Sequence, residues 1–207
     1  MPNKLIDMFQ QSASPEEYIA GYCAHMQKLL EAVDAKAVAK LTALIEEAGD
    51  KDKTIFLVAN GGSAVVGSHW VTDLSIHSVV EGRLGFRVIS LADNPYSMTA
   101  LANDTTFEQA FALQLKAAMR PGDLVIALSV SGNSPNILRA IEYANEFGAV
   151  TVGCTGFDGG ALRTLAQHSV HLESTRDEYG PVENTFDLIM HIVTGYLTMK
   201  RGRLLSH

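Results

Sequence analysis

Five short apolar runs constrain this chain more than any other feature: TIFLVA at 54–59, RVIS at 87–90, LVIAL at 124–128, VTVGCT at 150–155 and SVHL at 169–172, each followed by a stretch of helical character. Runs this short, rich in Val, Ile and Leu, are strands covered on both faces, and parallel strands must be joined by crossovers long enough to hold a helix. The pattern therefore predicts an α/β fold in which helices flank a parallel sheet. The connecting helices are expected at about 63–75, 96–101, 106–118, 134–147 and 161–166, with a last one at about 181–200.

Two helices should precede the first strand. Ser14, Pro15, Glu16 and Glu17 combine a hydroxyl cap, a proline in the first turn and acids at the positive end of the dipole, so a helix should run to about residue 33. Asp34 can cap a second through about residue 47, with Val38, Leu41, Leu44 and Ile45 on one face. Residues 1–50 thus read as an N-terminal helical extension used in oligomer packing, and 51–207 as the sheet domain, within one structural unit. The segment 76–83 is expected as a mobile connection and 174–181 as a polar approach to the last helix.

Composition narrows the function classes. A net charge of -7 leaves no basic field for a nucleic-acid backbone. Cys23 and Cys154 lie far apart without metal-ligand spacing, and are expected reduced and buried. The first 18 residues lack the pattern of a secretory leader, and no apolar run reaches the ~18 residues of a membrane span, so a cytoplasmic protein is expected.

In an open parallel sheet, ligands bind beyond the carboxyl ends of the strands. Four loops there carry glycine or small polar residues: 60–63, 90–93, 129–134 and 155–160. Asn60-Gly61-Gly62-Ser63 offers close backbone approach and free amides at a helix start, although such a sequence also occurs in plain turns. SVSGNS is more informative, because Ser129, Ser131 and Ser134 place three hydroxyls around Gly132, between a strand and a helix. Hydroxyls and amides converging on a helix N-terminus can hold phosphate without a basic side chain, whereas Ser134 alone would be explained as a helix cap. Neither loop matches a nucleotide-binding signature, so no nucleotide cofactor is expected.

His69 and Asp73 stand four apart on the helix that follows the glycine loop, and Glu183, Asp187 and His191 recur at four-residue steps on the last helix. Imidazoles and carboxylates from two helices could bind a divalent metal or divide acid and base duties; the alternative is a solvated polar face beside a hydrogen-bonded histidine. His77, His168, His171 and His207 lack comparable partners in the sequence and read as surface or loop residues. His25 reads as a packing or oligomer contact.

NGGS followed by HxxxD, then SVSGNS, TGFDGG and VENTFDLIMH, resembles the SIS (sugar isomerase) family in its phosphoheptose isomerase branch, over about residues 15–199. The resemblance implies a five-stranded parallel sheet in a flavodoxin-like three-layer sandwich, a homotetramer and a sugar-phosphate ligand. It places the phosphate on Ser129, Val130, Ser131 and Ser134, with Asn60, Gly61, Gly62 and Ser63 lining the same pocket and Asp104 a further pocket residue. It implies Zn2+ or another divalent cation on His69, Asp73, Glu183 and His191, with Asp73 and His191 as base and acid and Glu183 also facing substrate. Asp73 stands where the branch has glutamate, and Glu183 where an amide is usual. The implied activity is aldose–ketose isomerisation of sedoheptulose 7-phosphate or a close analogue, by enediol proton transfer. The same family contains sugar-phosphate sensors and replication-initiation regulators that bind a protein partner, which is the alternative.

Overall fold

In a computed structural model, residues 3–202 are described. Helices α1 (Lys4–Gln11), α2 (Pro15–Glu31) and α3 (Ala35–Asp50) precede β1 (Thr54–Ala59) and α4 (Gly61–Thr72). After a π-helical turn at Asp73–His77 come β2 (Arg87–Ser90), α5 (Pro95–Asp104), a 3-10 turn at Phe107–Gln109 and α6 (Ala110–Ala118). The chain continues as β3 (Leu124–Ser129), α7 (Pro135–Glu146), β4 (Val150–Thr155), α8 (Leu162–Leu165), β5 (His168–His171) and α9 (Tyr179–Lys200).

The five strands pair in parallel in the order β2-β1-β3-β4-β5, the expected α/β sandwich. Because β1 sits between β2 and β3, successive crossovers leave on opposite faces at the β1/β3 boundary, and a crevice opens there beyond the strand ends. The register Ala59↔Leu128 sets Asn60 and Ser129 side by side at the mouth of that crevice.

The inner strands β1, β3 and β4 are buried on both faces, whereas the edge strand β2 alternates exposed Arg87 and Ile89 with buried Val88 and Ser90. On one face Ile55, Leu57, Ile126 and Leu128 pack with Leu41, Ile45, Trp70, Phe186 and Ile189; on the other Phe56, Val58, Val125 and Ala127 pack with Phe111, Leu115, Ile137 and Ile141. The buried stripe of α3 lies on the first face, so residues 35–50 belong to the sheet's cover.

Local signals behave as their chemistry predicts. Ser14 accepts from the Glu17 amide and Asp34 from those of Lys36 and Ala37, capping α2 and α3. The helix at Lys4–Gln11 was not expected from the sequence; Asn3 caps it by accepting from the Leu5 and Ile6 amides. Cys154 is buried, and burial pushes its thiol up to about 12, but Cys23 is exposed, correcting the expectation that both cysteines are inside. Cys23 lies on α2, whose buried residues are His25 and Leu29. Val80 and Arg83 exchange backbone hydrogen bonds of 3.2 and 3.0 Å, closing a tight turn within 76–83. Among the described residues no helix is long and apolar enough to cross a membrane.

Candidate active site

A cavity of about 230 Å³ occupies the β1/β3 crevice. Its walls are Asn60, Gly61, Gly62 and Ser63 from the start of α4, Leu128, Ser129, Val130, Ser131 and Ser134 from the end of β3, Ile137 from α7, and Tyr179 and Glu183 from α9. The N-termini of α4 and α7 both abut it, so two positive helix ends meet in one cavity of an acidic protein.

Two of the residues that head these helices do not spend their side chains on capping. Asn60 and Ser134 stand in the cap positions of α4 and α7 without a side-chain cap hydrogen bond. Asn60 instead exchanges two amide hydrogen bonds of 2.9 Å with buried Asn136 on α7, locking the two walls together. The plain-cap explanation of Ser134 therefore loses its support, and its hydroxyl lines the cavity.

The serine loop is shaped by its neighbour. Ser129 Oγ accepts from the Gly132 amide at 3.2 Å, and Asn133 bridges the Ser131 carbonyl and the Ala161 amide at 3.0 Å each. Gly132 has φ +64°, and a Cβ there would lie 2.0 Å from the Gly159 carbonyl oxygen. Only glycine satisfies both conditions. The TGFDGG segment is thus a buttress behind the serine loop, absent from the cavity wall itself.

Glu183 reaches the cavity from α9. It accepts a hydrogen bond from Ser63 Oγ at 2.8 Å and lies so close to Gly62 that a Cβ there would fall 2.4 Å from Oε2. Tyr179, one helical turn earlier, is braced edge-on by Phe157 at 5.1 Å.

Further along α4 and α9, Asp73 gathers three imidazoles. It is 5 % exposed, with Oδ1 3.6 Å from His69 Nε2 and 3.1 Å from His77 Nδ1, and Oδ2 3.5 Å from His191 Nε2. His69 Nδ1–H donates to Asp187 Oδ1 at 2.7 Å, which leaves its Nε2 facing Asp73. His69 and His191 meet edge to face at 4.9 Å.

The donor set suits a divalent cation. Donor atoms of His69, Asp187 and His191 all lie within 4.8 Å of one another. Ligands held at about 2.0–2.1 Å around a tetrahedral ion stand roughly 3.3–3.4 Å apart, and Asp73 approaches His69 and His191 at 3.6 and 3.5 Å through its two different oxygens. At 2.7 Å the Asp187–His69 contact is a hydrogen bond through which Asp187 orients the ring, and Asp73 is a second carboxylate near the two imidazoles.

The sequence-derived residues accordingly divide into two groups. Asn60, Gly61, Gly62, Ser63, Ser129, Val130, Ser131, Ser134 and Glu183 surround the cavity, while His69, Asp73 and His191 converge further along α4 and α9. Glu183 turns to Ser63, and Asp187 takes the place next to His69. Asp104 lies away from both, exposed at the end of α5, where it accepts from Asn103 at 3.0 Å.

Sequence reasoning missed Asn136, Tyr179 and the relation of His77 to Asp73. His77 extends the HxxxD spacing by four more residues, a signal that was there to be read; nothing local distinguished Asn136 or Tyr179. His25 is a buried partner of Glu178 at 3.1 Å, and His171 Nδ1 lies 2.9 Å from Thr155 Oγ1, while His207 falls outside the described residues.

Known proteins resemble this chain over most of its length. The SIS domain family model matches residues 21–156. The chain is 33% identical over 174 residues to a phosphoheptose isomerase of Geotalea daltonii, spanning 83% of this chain and 89% of that one. It is 32% identical over 180 residues to a phosphoheptose isomerase of Chlorobaculum parvum, spanning 86% and 83%. A solved phosphoheptose isomerase from Francisella tularensis shares the fold, with a TM-score of 0.79 at 24% identity, over 89% of this chain and 96% of that one.

Proposed function

Because the chain belongs to the SIS domain family, among its phosphoheptose isomerases, we propose that it interconverts sedoheptulose 7-phosphate and the corresponding aldose phosphate. The single observation that carries the reading is that α4 and α9 serve two sites: a cavity ringed by serine hydroxyls and two helix N-termini, and, further along the same two helices, a buried carboxylate flanked by imidazoles. The first binds a phosphate, and the second moves protons on the carbons of the sugar it anchors.

Ser129, Ser131 and Ser134 hold the phosphate by hydroxyl donors, with Val130 contributing backbone and the α4 and α7 dipoles favouring the dianion. Asn60 to Ser63 form the wall along which the sugar lies, and Glu183 accepts from its hydroxyls. Starting from the ketose, Asp73 takes the proton from C1 while His191 gives one to the C2 oxygen, which forms an enediol. Asp73 then returns its proton at C2 as the C1 hydroxyl gives up its own to His191, which leaves the aldehyde and restores both side chains. His69, Asp73 and His191 would hold a divalent cation, zinc by the character of the donors, and such an ion polarises carbonyl and hydroxyl oxygens.

A homotetramer accords with the apolar residues left exposed on the N-terminal helices and on α9, among them Phe9, Ile19, Ile192 and Tyr196. Work on a phosphorylated sugar supports a cytoplasmic placement.

The test is a panel of ketose and aldose phosphates followed by NMR, with Asp73→Ala and His191→Ala alongside. Conversion by the wild type, lost in both variants, is expected. Conversion unchanged in both variants would refute the proton-transfer roles, and binding without conversion by the wild type would favour the sensor. Metal content before and after chelation tests the cation separately.

A further inference from the structure

The third imidazole at Asp73 has no part in that scheme. His77 is three-fifths exposed, yet it points back at a carboxylate that is almost wholly buried. Of the three histidines around Asp73, His77 alone stands within hydrogen-bond distance, at 3.1 Å; His69 at 3.6 Å and His191 at 3.5 Å are too long. The side chain of Asp73 has two torsions, and neither of those longer contacts fixes them.

The backbone is built for this contact. Asp73 to His77 form a π-helical turn at the end of α4, and the wider i→i+5 winding brings residues four apart more nearly into line than an α-helix does. The turn is secured from outside, since the Leu74 carbonyl accepts from the Phe86 amide at 3.1 Å and from Ser78 Oγ. Gly85 lets the returning chain pass, because a Cβ there would lie 1.9 Å from the Ser75 carbonyl oxygen. Departures of this kind inside helices cluster at functional sites.

We propose that His77 is a positioning residue of the proton-transfer centre: its Nδ1–H holds Asp73 Oδ1 and thereby turns Oδ2 towards His191. The centre then has two carboxylate–imidazole hydrogen bonds of opposite sense. Asp187 orients His69 through Nδ1, and His77 orients Asp73 through Oδ1. Such outer partners set the aim of the groups that touch ligand, and losing one costs about 10–100-fold in metal affinity or activity. This inference rests on the isomerase reading for its consequence in catalysis, but the contact itself does not.

Three substitutions separate the roles. Asparagine can place an amide N–H near the Nδ1 position, glutamine places one near Nε2, and phenylalanine keeps the ring without either. In His77→Phe and His77→Gln, kcat should fall about tenfold or more with KM within about twofold, and zinc affinity should weaken about tenfold, while His77→Asn stays nearest to the wild type. Circular dichroism checks that all three fold. In 15N-histidine spectra of the wild type, His77 should carry its proton on Nδ1.

Wild-type kcat and zinc affinity in His77→Phe would overturn the proposal, as would a His77 ring with Nδ1 unprotonated. Equal loss of zinc in the Asn and Phe variants would make His77 a ligand instead, and would overturn it too. If the wild type converts no sugar phosphate, the isomerase reading fails, while the tautomer and the zinc series still decide the role of His77.

Discussion

Gly62→Ala tests how closely α4 and α9 are fitted at the pocket. The residue lies in the first turn of α4 with an ordinary backbone, so alanine there gains about 0.8–1.0 kcal/mol of helix propensity. Against this, the new Cβ would stand 2.4 Å from Glu183 Oε2 and 2.9 Å from Cδ and Oε1, where ordinary contact needs about 3.5 Å. The carboxylate must withdraw by about 1 Å, which breaks its 2.8 Å bond from Ser63 Oγ, a charge-assisted contact of about 1.5–3 kcal/mol. The gain offsets only part of the loss, leaving a net cost of about 0.5–2 kcal/mol, or a Tm lower by a few degrees. Activity should suffer more, because a misplacement of about 1 Å at a reacting centre can cost about 100-fold. Isomerase kinetics and thermal melting should be run on Gly62→Ala, Glu183→Ala and the double variant. Neighbours that act through one contact are non-additive, so in the Glu183→Ala background the glycine change should cost no further activity and should raise stability by the helix-propensity gain of about 0.8–1.0 kcal/mol. An equal loss of kcat/KM in both backgrounds would refute the reasoning, since the glycine would then act on something other than Glu183.

Asn136→Ala should cost about 1–3 kcal/mol by stranding the Asn60 amide, with a melting temperature several degrees lower by calorimetry. Glu178 is fully buried and accepts from His25, the Lys4 and Thr175 amides and the Thr175 hydroxyl, so Glu178→Ala should lower the melting temperature by on the order of 10 °C. Gly132→Ala should abolish measurable binding of inorganic phosphate by calorimetry, because the serine loop cannot keep its path beside Gly159. His171 is held below the usual histidine range, first by burial and then by the Arg163 charge, so it stays neutral in the fold while the unfolded chain takes up a proton near pH 6.5. Stability should therefore fall as pH drops below about 6.5 and level off below the folded value. In His171→Asn, denaturation midpoints between pH 7.5 and 5 should change less than in the wild type.

Much of the fold is written in local pattern. The apolar runs marked the five strands to within a residue or so, because β1, β3 and β4 are buried along nearly their whole length and the edge strands β2 and β5 still bury Val88 and Val170. Ser14 and Asp34 marked helix starts, since a cap is satisfied within three residues. The glycine and serine loops pointed to the ligand end of the sheet for the same reason: an anion held by backbone amides needs small residues just there. Cys23 and the helix at Lys4–Gln11 escaped, one because burial depends on which helix face meets a neighbour, the other because a short helix leaves too little periodicity to read.

The sequence by itself determined which residues could do chemistry and on which elements they ride. The strand order β2-β1-β3-β4-β5 decided the rest, by setting the end of β1 beside the end of β3 and so making one cavity from loops about 70 residues apart. Only the packing of α9 along α4 could send Glu183 to Ser63 and Asp187 to His69, although both carboxylates lie on the same helical stripe. The four-residue spacing allowed a contact between His77 and Asp73, and the π-helical turn closes it to 3.1 Å. Side-chain distances between elements follow from crossover direction and from how helices settle on a twisted sheet, and those are sums over the whole core that no local spacing contains.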